Sequence, residues 1–283
     1  MKKTKLITAF AAATVAMTAS SYAATPWTPA DVTNYAWWDA SDASTITESG
    51  GVVSQWDDKS NSNDATAIHP TNRPLTGGRT INGLNAIEFQ AGINDGLQFT
   101  QTDMIGKEMW AVFVQDNATD FTVVGAGGNS QLTILGSGKV RSWQGGSGYN
   151  PLDKQSTAVL AATNTHVVGW IHDPIRKYSI NGTLEDNMGT HNGVGTHNGS
   201  RIGTQQYARA DGLMGEIVIT NGLLSLDDRA KMEGYFAWKW GTVDALPGDH
   251  AYKTDGSIFL VPEPSTTALL GLGGLALIFR RRK

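Results

Sequence analysis

Gly212-Leu213-Met214-Gly215-Glu216-Ile217-Val218-Ile219 is followed by Ser225-Leu226-Asp227-Asp228 and then by Glu233-Gly234-Tyr235-Phe236-Ala237-Trp238-Lys239-Trp240-Gly241. The fold turns on this stretch. Its first part predicts a strand over Leu213–Thr220. The remainder predicts the one clear helix of the chain. Ser225 can cap it, and the two aspartates suit the positive end of its dipole. Met232, Tyr235, Phe236 and Trp240 share a face at helical spacing, which reads as core packing, and Gly241 stops the helix.

Upstream, strand signals recur at short intervals between Gly, Asn and Asp. They cover Val52–Trp56, Ala86–Gln90, Leu97–Thr100, Glu108–Gln115, Phe121–Gly125, Leu132–Leu135, Lys139–Trp143, His166–His172, Lys177–Ile180 and Thr183–Glu185. In an extended Asn34–Ile46 segment, Trp37 and Trp38 point to opposite faces. Asn181-Gly182 supplies the positive φ values of a two-residue hairpin turn. Many short strands and one late helix predict an all-β antiparallel sandwich rather than a parallel sheet. The 33 glycines fit many turns, and the absence of cysteine means that the core alone must hold the fold.

The two ends read as targeting segments. Lys2, Lys3 and Lys5 precede an apolar run from Leu6 to Ala19, and Ser21-Tyr22-Ala23 suits a signal peptidase cutting after Ala23. At the other end, Pro262-Glu263-Pro264 precedes an uncharged apolar run, Thr266–Phe279, and the cations Arg280-Arg281-Arg282-Lys283. As a helix that run spans roughly 21 Å, short of a ~30 Å hydrocarbon core unless the flanking residues stretch it. Terminal cations favour the cytoplasmic side, so the rest of the chain is expected outside the inner membrane.

Removing both segments changes the charge. The chain has 22 Lys+Arg and 26 Asp+Glu; taking away the seven cations and one anion of the two ends leaves 15 cations and 25 anions, a net charge of -10. Such a surface argues against nucleic acid and anionic lipid as partners and is compatible with cation binding.

The three parts of the tail, in that order, resemble the PEP-CTERM sorting signal of Gram-negative bacteria. The resemblance implies an exosortase-type protease as a partner, a transient inner-membrane hold and a destination at the cell surface or beyond. The segment Trp37–Gly241 in turn resembles a LamG-like, concanavalin A-like jelly roll. That likeness rests on Trp38-Asp39-Ala40-Ser41-Asp42-Ala43, Gln55-Trp56-Asp57-Asp58-Lys59-Ser60, Asn82-Gly83-Leu84-Asn85-Ala86-Ile87-Glu88-Phe89 and the stretch quoted first. It implies two antiparallel sheets face to face, carbohydrate binding in many relatives and Ca²⁺ at the rim in some. Many relatives have Asp before the Glu of the Gly-x-Ile-Asp-Glu block; here that residue is Gly215.

The expected organisation is a signal peptide (1–23), a leader (24–30), the jelly roll (31–241), a polar linker (242–260) and the sorting signal (261–283), with the motif at 262–264, the apolar helix at 266–279 and the basic tail at 280–283.

Catalysis finds no motif. Glu88, Glu108, Glu216 and Glu233 lie on different elements, whereas a glycosidase needs a carboxylate pair at a set separation. No Gly-x-Ser-x-Gly or His-Glu-x-x-His occurs, and Gly125-Ala126-Gly127-Gly128 lacks the Lys-Ser/Thr of a phosphate loop. The chain is therefore expected not to be an enzyme. For Ca²⁺, Asp57, Asp58 and Asp64, with Asn61 and Asn63 among them, form an oxygen-rich loop, and Asp95 follows another turn. His191 and His197 sit in a repeated Gly-Thr-His-Asn-Gly that reads as a surface loop. For sugar, Trp143, Gln144, Tyr149 and Asn150, and separately Tyr207 and Arg209, combine aromatic faces with hydrogen-bonding groups in loops. The expected function is binding or organising extracellular polysaccharide. A hydrolase or lyase on the same fold and a self-assembling matrix protein are the alternatives.

Overall fold

β17 (Gly212–Thr220) is buried along all nine residues, because both its edges are paired and both its faces are covered. The computed structural model describes residues 25–93, 95–100, 104–126, 130–143, 154–173, 175–186, 200–204 and 208–259. On one edge of β17 lie β1 (Asn34–Asp39) and, further along, β6 (Leu84–Phe89), itself paired with β5 (Leu75–Ile81). The other edge carries β8 (Glu108–Gln115), then β13 (Thr165–His172), β14 (Arg176–Ile180) and β15 (Thr183–Glu185). All pairings are antiparallel.

A second layer runs in the order β2 (Ile46–Ser49), β3 (Val52–Trp56), β4 (Ala65–Ala67), β7 (Leu97–Phe99), β16 (Ser200–Ile202), β9 (Phe121–Ala126), β10 (Ser130–Ile134), β11 (Lys139–Trp143) and β12 (Lys154–Val159). Val52 opposite Leu75 joins the layers on one side. On the other side the Glu185 carboxylate, at the end of β15, accepts the Thr157 and Ala158 N–H groups of β12 at 2.7 and 2.8 Å. The sandwich is thereby nearly closed and leaves few bare edges.

The main core lies between the layers, and Trp38, Trp56, Phe89, Phe113 and Ile217 meet there. A second apolar cluster covers the outer face of the first layer, where α1 (Leu226–Trp240) lays Met232, Tyr235, Phe236 and Trp240 over Trp37, Trp110 and Val218. Trp37 and Trp38 thus take opposite faces of β1, as alternation predicts. Ser225 caps α1 through its hydroxyl at 3.0 Å from the Asp228 N–H, and Gly241 ends it at φ +74°. Asn181-Gly182 turns at φ +48° and +80°, and Asn82-Gly83 makes the same turn between β5 and β6.

The expected linker does not stand off as a spacer. Thr242–Phe259 folds back on α1 within one compact unit, Pro26–Leu260. The Phe259 ring packs edge-on against Trp27 and Tyr252, and the Trp27 N–H donates to the Ile258 carbonyl at 2.7 Å. The leader and the linker therefore clasp each other over α1. Ala23, Pro262-Glu263-Pro264, the run 266–279 and the pair His191/His197 lie outside the described residues. Among the described residues no helix is long and apolar enough to cross a membrane.

Candidate functional site

The blocks that make this sequence recognisable converge on one buried carboxylate. Glu216 is fully buried, and each of its oxygens accepts two hydrogen bonds. Oε1 takes Trp37 Nε1 at 2.6 Å and the Tyr235 hydroxyl at 3.0 Å; Oε2 takes Lys239 Nζ and Trp240 Nε1, both at 2.8 Å. Lys239 also pairs with Asp39 at 2.8 Å, and Lys59 joins Asp39 to Asp42 at 3.2 and 2.9 Å. Burial pushes the Glu216 carboxyl up; the Lys239 ammonium opposes this and the Asp39 carboxylate reinforces it. Burial also acts to raise Asp39, but the charge and hydrogen bond of Lys239 outweigh it and hold Asp39 below its usual range.

Gly215 belongs to the same arrangement. A Cβ there would stand 2.7 Å from the Trp240 ring and 2.9 Å from Val112. An aspartate at 215 and this placement of Trp240 exclude each other. The network is satisfied, enclosed and structural, so binding has to be sought elsewhere.

The oxygen-rich loop is also spent internally. Asp58 accepts from the Trp37, Ser60 and Asn63 N–H groups, and Asp64 accepts from the Asp58 N–H at 2.9 Å. Gln55 Nε2 donates to Asp57 at 2.7 Å and to Asp64 at 3.3 Å. These carboxylates hold the loop against β1 and β3, and among the described residues no group of three His, Asp or Glu side chains is placed to share a metal.

Asp95 stands apart from that loop. It is fully buried, its Oδ2 accepts the Gln90 N–H at 2.9 Å, and its Oδ1 meets no partner among the described residues. Burial pushes its pKa from 3.8 up to about 7, and Asp211 and Glu88 add to the push against the opposing Gln90 hydrogen bond. Between about pH 4 and 7 the folded carboxyl therefore keeps a proton that the unfolded chain has released. Stability should fall as pH rises through that window, on the order of 1 kcal/mol per pH unit at most. Asp95→Asn imitates the protonated group, so urea midpoints of this variant are expected to stay flatter from pH 4.5 to 7.5 than those of the parent. An unchanged pH profile would refute the assignment.

The outer face of the second layer is open over β2, β3, β4, β7 and β16. Residues directly opposite in neighbouring strands share a face. One row runs Thr47, Gln55, Thr66, Gln98, Arg201 by pairing, and continues in register through Gly125, Gln131 and Trp143. Thr47, Thr66 and Gln98 are exposed, and Gln55 and Arg201 half-buried. Eight strands at ~4.8 Å spacing make this row roughly 34 Å long. Arg201 makes no ion pair among the described residues, and Gly125, next in the row, is buried. Arg141 and Gln155 lie opposite each other one row away, beside Thr133 and Thr122. The Thr122 hydroxyl donates to the Ala208 carbonyl at 3.0 Å, so the 208–210 segment walls this second row.

Of the sugar candidates read from sequence, Trp143 occupies the end of the first row, and Arg209 is exposed with Nη1 3.2 Å from the Ala91 carbonyl. Gln144, Tyr149, Asn150 and Tyr207 lie outside the described residues. Thr66, Gln98 and Arg201 were missed because their strands have three residues each, too short for alternation to register. The signal available was a polar residue set between inward ones, as in Ala65-Thr66-Ala67 and Leu97-Gln98-Phe99.

The fold and this open face define a class: an antiparallel β-sandwich of jelly-roll type. Domain 4 of AbnA, a GH43 extracellular arabinanase from Geobacillus stearothermophilus, solved in complex with arabinotriose, shares the fold at TM-score 0.54 and 14% identity, over 71% of this chain and 98% of that one. The botulinum neurotoxin type G receptor binding domain aligns with TM-score 0.48 and 10% identity, over 72% of this chain and 52% of that chain. No curated protein matches the sequence. Residues 260–283 match the PEP-CTERM protein-sorting motif. The chain is thus a jelly-roll-type sandwich that ends in a PEP-CTERM sorting motif, the mark of an exported protein processed by an exosortase.

Proposed function

We propose that the protein binds extracellular polysaccharide along the row from Thr47 to Trp143 and does not cleave it, and that its sorting motif holds it briefly at the inner membrane before release to the cell surface or beyond. The observation that carries this reading is the row itself: exposed or half-buried hydroxyls, amides and one guanidinium aligned across five strands, from Thr47 to Arg201. Hydroxyl-rich chains are met by such donors and acceptors. A protein partner would call for a large apolar centre, which the row lacks. The arabinotriose in the AbnA domain is in keeping with a sugar ligand on this fold. The row holds no carboxylate of its own, which favours binding over glycoside hydrolysis.

The test is a glycan array with the exported chain, followed by calorimetry on the Gln98→Ala/Arg201→Ala double variant. Two lost polar contacts should weaken binding about 10- to 100-fold. Gln98 is exposed and Arg201 half-buried, and neither belongs to the core, so the urea midpoint should hold. Trp143→Ala should lose binding as well. No binding of the parent to any polysaccharide, the host's own included, would overturn the proposal; so would turnover abolished by a single carboxylate substitution, which would favour a hydrolase.

A further inference from the structure

At the end of the sandwich where β17 finishes, a cleft of about 380 Å³ is lined by Tyr35, Asn61, Ser62, Asn63, Thr100 and Asn221. That is large enough for a small ligand. None of the six side chains is charged. The orientation of two amides is set by backbone carbonyls. Asn61 Nδ2 donates to the Asn34 and Tyr35 carbonyls at 2.9 and 3.2 Å, and Asn221 Nδ2 donates to the Asn34 carbonyl at 3.1 Å. Their nitrogens therefore face the protein and their Oδ1 atoms are left as acceptors. Both residues are exposed at the lip. The back of the cleft is rigid: Asn63 Oδ1 accepts the Thr100 N–H, and the half-buried Tyr35 ring is fixed by its hydroxyl on the Thr100 carbonyl, both at 2.9 Å.

We infer that this cleft is a second sugar site, separate from the open face, that takes one neutral, hydroxyl-rich ring. Amide oxygens at the lip accept hydroxyl protons, and the Tyr35 ring offers an amphipathic surface to the sugar's C–H edge. No cation lines the cleft to offset the charge of a uronate. Asn221 also lines a neighbouring cleft of about 510 Å³ that carries Asp31 and Asp228, which would repel one. The open face differs, because Arg201 there can meet an acidic glycan. The two sites thus sort ligands by charge.

The experiment follows backbone amide shifts of the exported chain lacking the sorting motif, whose residues 26–260 form one compact unit, while glucose, galactose or arabinose is added, with glucuronate as the acidic probe. Saturable shifts confined to residues 61–63, 100 and 221 are expected with at least one neutral sugar, at a millimolar Kd. Ser62→Trp, an exposed position, fills the cleft and should weaken this binding at least tenfold with the urea midpoint kept. Gln98→Ala/Arg201→Ala should leave it unchanged. No saturable shift with any neutral sugar, equal or tighter binding of glucuronate, or full binding by Ser62→Trp would each overturn the inference. Because the variants separate the two sites, loss of polysaccharide binding in the open-face variant alone bears only on the row.

Discussion

Replacing Glu216 with alanine is expected to cost the domain about 3–5 kcal/mol, the usual penalty for removing one partner from a buried charge cluster. The loss strands four donors at once: the indoles of Trp37 and Trp240, the Tyr235 hydroxyl and the Lys239 ammonium. It also leaves Lys239 facing Asp39 alone. Glu216→Gln should fare little better, although it has the same shape. Whichever way its amide turns, the NH₂ group meets two of those donors and the oxygen serves only the other two. Urea titration at pH 7 measures both variants. A glutamine variant with the parent's midpoint would show that the charge and the four acceptor positions are not what anchors α1 to the sheet.

Truncation supplies the second large effect. A chain ending at Leu260 should be as stable as one that carries the sorting segment. A chain ending at Gly241 should lose roughly 3–6 kcal/mol, since it uncovers Trp27 and the helix face under Tyr252 and Phe259 and breaks two buried polar contacts. Those contacts are His250 Nε2 to Glu233 at 3.1 Å and Trp238 Nε1 to the Tyr252 carbonyl at 2.8 Å. Gly256 shows how close this segment lies, since a Cβ there would stand 2.3 Å from the Trp238 ring. Equal urea midpoints for the two truncations would restore the spacer reading of Thr242–Phe259.

Much of the fold was legible in the chain. The longer strands follow hydrophobic patterning, because both faces of Glu108–Gln115 and Gly212–Thr220 are covered and tolerate few polar residues. The helix was marked at both ends by residues whose chemistry permits little else there, Ser225 and Gly241. Ile46–Ser49, Leu75–Ile81 and Lys154–Val159 were not legible. They are mostly polar or rich in glycine, and they become strands because a neighbour supplies the pairing. The segment after Gly241 misled for a similar reason. Its apolar residues are few and spread out, and only the fold lets Leu246 meet the Asn181-Gly182 turn and Tyr252 and Phe259 meet α1.

The candidate sites were legible only in part. Trp143 drew notice because an aromatic among glycines stands out, and strand pairing places its position at the end of the row. The row it ends comes from seven other strands spread between Thr47 and Arg201, and nothing local connects them. The loop Asp57–Asp64 suggested a cation by composition, and in the fold its carboxylates also accept the loop's own N–H groups.

By itself, the sequence determined an all-β chain with one capped helix, no disulfide, an acidic body between two basic ends, and a sorting motif at 262–264. These are properties of local patterns and of net charge, which survive without a fold. The tertiary structure decided which carboxylates are buried struts, which face of the sandwich stays open, and that the late segment closes over the helix. Those outcomes depend on pairings between residues far apart in the chain, and only strand register and packing bring such residues together.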